Sequence, residues 1–310
     1  DLLAQHPPLL VYLGDIDRLR SRFDEALAWY QQAESFSRAR QDVPALGMAL
    51  RGQARVHLDT VNPSRAESLL QEALRIADGQ ESRESRARLL ELLAENQLNQ
   101  GHTEAAQTYQ TQARALRQSA HDEATLPVRL LLRTGRLAEA RRILEEQAAS
   151  EQEAPVLRPR AHRETLLLLS LILSFQGEQA AAYDCAVAGT QRGEALHSDF
   201  ITAVGHMRQG HAHLLRKQDE GYGEGEESFG TAVALSERLD VPRLKVEANW
   251  GLTQVYGFRG DIEMAEAAAA DGIRLAQQAG DEWVEACIRT TLGASYVLVA
   301  PDTPREVRRS

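Results

Sequence analysis

The sequence predicts an all-α fold: a right-handed α–α superhelix, a solenoid with about seven and a half helix hairpins of roughly 40 residues each. Three observations carry this expectation. The first is a small residue that recurs just after a turn and opens an amphipathic stretch. It appears at Ala26, Ala66, Ala106, Ala140, Ala182, Gly225 and Ala265, with spacings of 40, 40, 34, 42, 43 and 40 residues. Self-similarity at such a period marks a stacked array, because a lone hairpin cannot bury its own apolar face. The second is composition. Hydrophobic residues make up 43% of the chain but aromatic ones only 5%, so the core is filled with Ala and Leu, which suit close helix–helix contact. The third is that no stretch alternates apolar and polar residues between turn residues, so no sheet is expected.

Residues 247–275 hold the repeat in its clearest form. Ala248, Leu252, Val255 and Tyr256 recur at helical spacing and give one apolar face. Gly260 supplies the left-handed residue that ends the helix, and Asp261 is placed to accept from the free N–H groups of the next. Ala265, Ala269 and Gly272 then lay a smooth stripe along the second helix. The same stripe reads Ala26/Tyr30/Ala33, Ala66/Leu70/Ala73 and Gly225/Phe229/Ala232 elsewhere. Gly101, Gly135, Gly177 and Gly260 each stand five residues before the small residue of their repeat.

Taken in order, the repeats fall near 9–40, 44–78, 82–118, 122–150, 158–196, 198–240, 242–279 and 281–300. His6, Pro7 and Pro8 form an entry turn ahead of the first. Asn62 and Pro63 replace the glycine turn in the second. The fourth is short, since Pro127 truncates its first helix. Residues 151–159, with Pro155 and Pro159, are the candidate hinge within an otherwise single domain. Leu166 to Phe175 is apolar all round, which implies burial on more than one side. An extended connection over 217–225 joins the two helices of the sixth repeat. The last helix lacks a hairpin partner and leaves Leu292, Tyr296 and Val299 as a face for self-association. The chain starts without Met and stops on the first helix of a repeat, so it is expected to be a piece of something larger.

The net charge of −10 is spread over mixed Arg/Glu faces and disfavours direct binding of nucleic acid. Cys185 and Cys287 lie far apart on Ala-rich stretches and read as reduced thiols. With no signal peptide, they point to the cytoplasm. No apolar run reaches the length of a membrane span. Phosphate-loop, dinucleotide, nucleophile-elbow and metalloprotease motifs are all missing, so neither enzymatic activity nor a cofactor or metal is expected. Gly221, Gly223 and Gly225 sit among Glu220, Glu224, Glu226 and Glu227, which repel an anion, and read as a flexible turn. His206, His211 and His213 form the only histidine cluster and read as ordinary helix positions. Glu91 and Glu95, one turn apart with Arg88 at hand, read as a charged helix face rather than an acid–base couple.

In a stacked hairpin array one helix of each pair lines the concave side, the usual place to bind a partner. If the first helices do so, the inward positions are Arg51 and Arg55, then Arg88, Glu91, Glu95 and Asn99, then Met207 and His211, and finally Trp250, Gln254 and Phe258. Such a groove suits an effector small molecule, a peptide or a regulatory protein.

Leu13-Gly14, Leu292-Gly293 with Tyr296, and the Gly260-Asp261 to Ala265 spacing together resemble tetratricopeptide repeats over nearly the full chain. The longer period, with Leu13-Gly14-Asp15, Phe23 to Ala26, Ala66 to Ala73 and Ala279 to Trp283, resembles the helical sensor segment of large bacterial signal-transduction ATPases. These are the MalT-like, LuxR-type and bacterial-transcriptional-activator-domain regulators. The resemblance implies an ATPase module and a DNA-binding domain elsewhere in a parent chain, with the repeats binding an inducer or regulatory protein and contributing to self-association. Arg51 to Gln53 where Leu-Gly is expected, the short fourth repeat and the insertion over 217–223 depart from the pattern. The resulting expectation is a non-enzymatic sensor and oligomerisation module of an ATP-dependent transcription activator. The alternative is a generic tetratricopeptide adaptor that binds a peptide or protein.

Overall fold

The computed structural model describes residues 6–60, 62–78, 83–116, 125–153, 161–215 and 219–299. Among them there are fifteen α-helices and no strand. The chain divides into two compact units, residues 1–126 and 127–310. In the first, α1 (Pro7–Leu19) pairs with α2 (Phe23–Arg40), α3 (Val43–Asp59) with α4 (Pro63–Asp78), and α5 (Arg83–Asn99) with α6 (Thr103–Leu116). In the second, α7 (Thr125–Arg133) is followed by α8 (Leu137–Glu153), α9 (Ala161–Phe175) by α10 (Gln179–Ala195), and α11 (Asp199–Leu214) by α12 (Asp219–Arg238). Then come α13 (Pro242–Arg259), α14 (Ile262–Ala279) and the last helix, α15 (Glu282–Val299). Within each unit a first helix packs on its own partner and on the first helix of the next repeat, as in α1 on α3 and in α11 on α13.

The loops share one device. The residue two before the next helix sits at positive φ: Ser21, Gln41, His197 and Asp240, and the glycines 101, 135, 177, 260 and 280. One left-handed residue satisfies the last carbonyls and reverses the chain at once. Glycine was the only form of this signal legible in the sequence. Asp42 and Asp281 then cap α3 and α15, accepting from the Ala45 and Val284 N–H groups at 3.1 Å. Asp261 does not cap α14. Its side chain pairs with Arg259 instead.

The small residues 26, 66, 106, 140, 182, 225 and 265 are all buried, and each alanine among them has no exposed surface. Four residues further on, the second helix sends a larger group into the gap between successive first helices. Tyr30 lies between Gly14 and Gly52, and a Cβ added to either would sit 2.6 or 2.3 Å from its ring. Gly52 therefore does the work that the Leu-Gly pattern assigns to a glycine. Phe229 is held the same way between Gly210 and Gly251. Where the second helix is small the roles reverse, and Leu167 of α9 fills the space over Gly189. Burying each such ring or aliphatic side chain contributes about 1.5–3 kcal/mol.

Several expectations change. Pro7 lies inside α1 rather than in a turn before it, where its missing N–H costs nothing. The connection over 217–225 is not extended: α12 starts at Asp219 and runs through Gly221, Gly223 and Gly225. Gly225 holds the small-residue position of its repeat, 3.4 Å by its would-be Cβ from Val255 and 3.7 Å from the Gly210 carbonyl. The α9 leucines are buried round most of the helix, as expected. Residues 151–153 belong to α8, and the rest of the candidate hinge lies outside the described residues. So does the 301–310 tail.

Candidate functional site

In the first unit two of the predicted inward residues, Arg51 and Arg55, lie near Tyr30. The Tyr30 hydroxyl donates to Asp15 Oδ1 at 2.7 Å, and burial followed by Asp15 raises the phenol well above its ordinary range. Arg51 and Arg55 of α3 are half-buried. Burial, reinforced by Arg88 and opposed by Asp15, lowers the Arg51 guanidinium. Arg18 and Asp59 form a buried ion pair at 2.7 Å that ties α1 to α3. On α5, Arg88 turns to Glu84 at 2.9 Å rather than to Glu91. Glu91 is half-buried, while Glu95 and Asn99 are only 8% and 3% exposed. All three of these are engaged in polar or electrostatic interactions.

The second unit places its candidates in a charged, aromatic interior. Arg133, the last residue of α7, sets its guanidinium 4.2 Å from the centroid of the Trp283 ring of α15 and 3.5 Å from Asp281. Trp250 of α13 meets Trp283 edge-on at 6.1 Å and His211 of α11 at 5.6 Å. Its indole N–H donates to Thr291 at 3.0 Å. His211 also meets Phe229 at 5.1 Å. Beside this row Glu247 accepts from Arg208 at 3.3 Å, and Arg243 stands 3.6 Å away.

The electrostatics follow from burial. Burial works to raise the Glu247 carboxyl, but Arg208, Arg243 and Arg129 outweigh it and hold the group down at about 2. Burial, assisted by Arg208 and opposed by Glu247, pushes the His211 imidazole down to about 3, so it is neutral at ordinary pH. Burial lowers the Arg133 guanidinium as well. Four buried polar atoms on this face, Arg133 Nη1, Arg208 Nε, His211 Nε2 and Gln254 Oε1, have no hydrogen-bond partner.

No protein-family model matches the chain, and no curated protein matches it in sequence. Solved structures do. A Rap protein complexed with competence and sporulation factor superposes with a TM-score of 0.66 at 15% identity, covering 98% of this chain and 88% of that one. Yeast Tom70 gives 0.48 at 12% identity, covering 93% and 63%. The yeast Sti1 TPR2AB domain in complex with pHSP90 gives 0.35 at 13%, covering 94% and 98%. The Rap likeness shows the fold: an all-α helical-repeat solenoid of tetratricopeptide type.

Of the predicted residues, the structure brings His211 and Trp250 into contact. It leaves Phe258 43% exposed, 6.5 Å from Tyr222 by ring centroids. Met207 is a correction. With no exposed surface it belongs to the core of α11 and lines no groove. His206, His211 and His213 do not converge: His206 is half-buried, and His213 pairs with Glu224 at 2.9 Å and stacks near Tyr183. The reading missed Arg133, Arg208, Arg243, Glu247 and Trp283. Arg243, Glu247, Trp250 and Gln254 do share one helical face by spacing, which was a usable signal. Nothing in the sequence joins Arg133 to Trp283, since that contact depends on where α7 and α15 meet.

Proposed function

We propose that this chain is a non-enzymatic binding module that docks a peptide or protein segment against the first helices of its repeats. One observation carries the reading: buried Arg208 Nε, His211 Nε2 and Gln254 Oε1 lie without hydrogen-bond partners on α11 and α13, the helices that bring His211 against Trp250. Buried polar groups are ordinarily satisfied. A row of them beside aromatic walls suits an occupant that brings backbone polar groups and apolar side chains together. The Rap structure, a complex with competence and sporulation factor on the same fold, supports the reading. So does the lack of any nucleophile paired with a base among the motifs of the chain. Selection of displayed peptides on the full chain, followed by thermal melting, tests it. A selected peptide raises the melting temperature saturably, and Gln254→Ala reduces the effect. A selection that yields no saturable binder removes the reading.

The finer role, a self-associating sensor of an ATP-dependent transcription activator in a bacterial cytoplasm, rests on the sequence phrases around Leu13, Ala66 and Ala279. A parent gene product with a phosphate loop and a helix-turn-helix supports it. A parent without either leaves the general adaptor.

A further inference from the structure

Among the described residues of the second unit, two buried guanidiniums are met only loosely by carboxylates. Arg133, Arg208 and Arg243 share two acidic partners, Glu247 and Asp281, and Arg129 acts on Glu247 as well. The Arg133 and Arg208 side chains are only 9% and 8% exposed. A guanidinium withdrawn from water this far is normally met by a close carboxylate fork, with two short hydrogen bonds. Neither finds one. Glu247 gives Arg208 a single contact at 3.3 Å and stands 3.6 Å from Arg243. Asp281 lies 3.5 Å from Arg133, and the same oxygen is engaged in capping α15. Arg208 Nε is left over as a donor, with His211 Nε2 alongside it, and Arg133 Nη1 has only its long contact with Asp281.

We propose that this interior binds a carboxylate, contacted by Arg208, Arg133 and Arg243 between the His211, Trp250 and Trp283 rings, and that Glu247 competes with it for the same guanidiniums. The proposal rests on the peptide-docking reading and specifies what the docked segment must carry. A carboxylate offers the two coplanar oxygens that a guanidinium fork pairs with. The carboxylate is either a peptide C-terminus or an Asp or Glu side chain. Both present the same two oxygens.

The experiment uses the full chain with Trp29→Phe, so that Trp250 and Trp283 alone report by fluorescence. The probes are pentapeptides from a positional library, each made with Glu or Gln at a chosen position and as a free acid or a C-terminal amide. Members that keep the recognised carboxylate change the fluorescence saturably, and its neutral counterpart binds at least about tenfold more weakly. Which arm is sensitive identifies the source. Arg243→Gln, at a partly exposed position, weakens binding about tenfold, whereas Glu247→Gln removes the internal competitor and tightens it by a similar factor. A merely structural Glu247 gives the opposite sign, with weaker binding in the Gln variant at unchanged circular dichroism, and overturns the proposal. Acids and amides, Glu and Gln, all binding alike also overturn it while leaving peptide docking intact. No fluorescence response from any probe up to about millimolar concentration removes both readings.

Discussion

Gly251 shows how a single hydrogen atom decides the sign of a substitution. Alanine in a helix is ordinarily favoured over glycine, yet a Cβ here would lie 2.2 Å from the Phe229 ring. Gly251→Ala therefore destabilises the second unit by about 1–3 kcal/mol, readable as a lower urea midpoint. His211 makes a second case. Its folded pKa is depressed from 6.5 to about 3, so its contribution is fully present above pH 6.5 and is lost as the pH falls. At pH 5 the loss is about 2 kcal/mol. Buried His57 and half-buried His206, also lowered by burial, act in the same direction. Glu247 adds its own loss only below its unfolded value of about 4.5. His211→Gln therefore flattens the stability profile between pH 6.5 and 5 without abolishing its slope. An unchanged slope in that variant would show that the imidazole takes its proton as readily folded as unfolded. The sequence singled out His211 and Trp250, but not their burial, which leaves them only 6% and 8% exposed. Spacing along a helix says which residues share a face, not how far a neighbouring helix covers it.

Helix α12 is where local reading went furthest astray. Three glycines among glutamates suggested a turn, although the repeat register placed a helix from Gly223 with Gly225 at its small-residue position. The structure draws Gly223 and Gly225 into the helix because Gly225 meets α11 and α13 closely, so tertiary packing overrides intrinsic preference. Gly223 has nothing within 4 Å of its would-be Cβ, so Gly223→Ala stabilises the protein by about 0.5–1 kcal/mol. In a true turn the same change gives no gain, and chemical denaturation distinguishes the two. Elsewhere the helix pairs, their two- or three-residue loops and the small-residue stripes were legible, because periodicity and glycine punctuation survive without knowledge of neighbours. The non-glycine turns at Ser21, Gln41, His197 and Asp240 were not, since a left-handed residue with a side chain leaves no compositional trace.

The array as a whole was visible in the recurrence of seven small residues, whereas the division at residues 126 and 127 was not. Each unit owns its own apolar clusters: α3 to α6 around Leu50, Leu70 and Leu93 in one, and α7 to α11 around Leu144 and Ile172 in the other. Residues 127–310 expressed alone are accordingly expected to melt cooperatively with full helical circular dichroism. A non-cooperative melt would show that the units depend on each other. The first-helix interior of that second unit was the least legible part, because Arg133 and Trp283 are brought together only by four intervening hairpins' worth of geometry. The rings of Tyr30 and Phe229, each wedged between two glycines, carry one more consequence. Sliding one first helix past the next must first extract a ring from a slot that fits it, so resistance to mechanical load is set by these two wedges rather than spread evenly along the chain. Pulled from its ends, the molecule is expected to yield last where a ring is the bolt, and earlier at repeats where alanine holds that position of the second helix, such as Ala269.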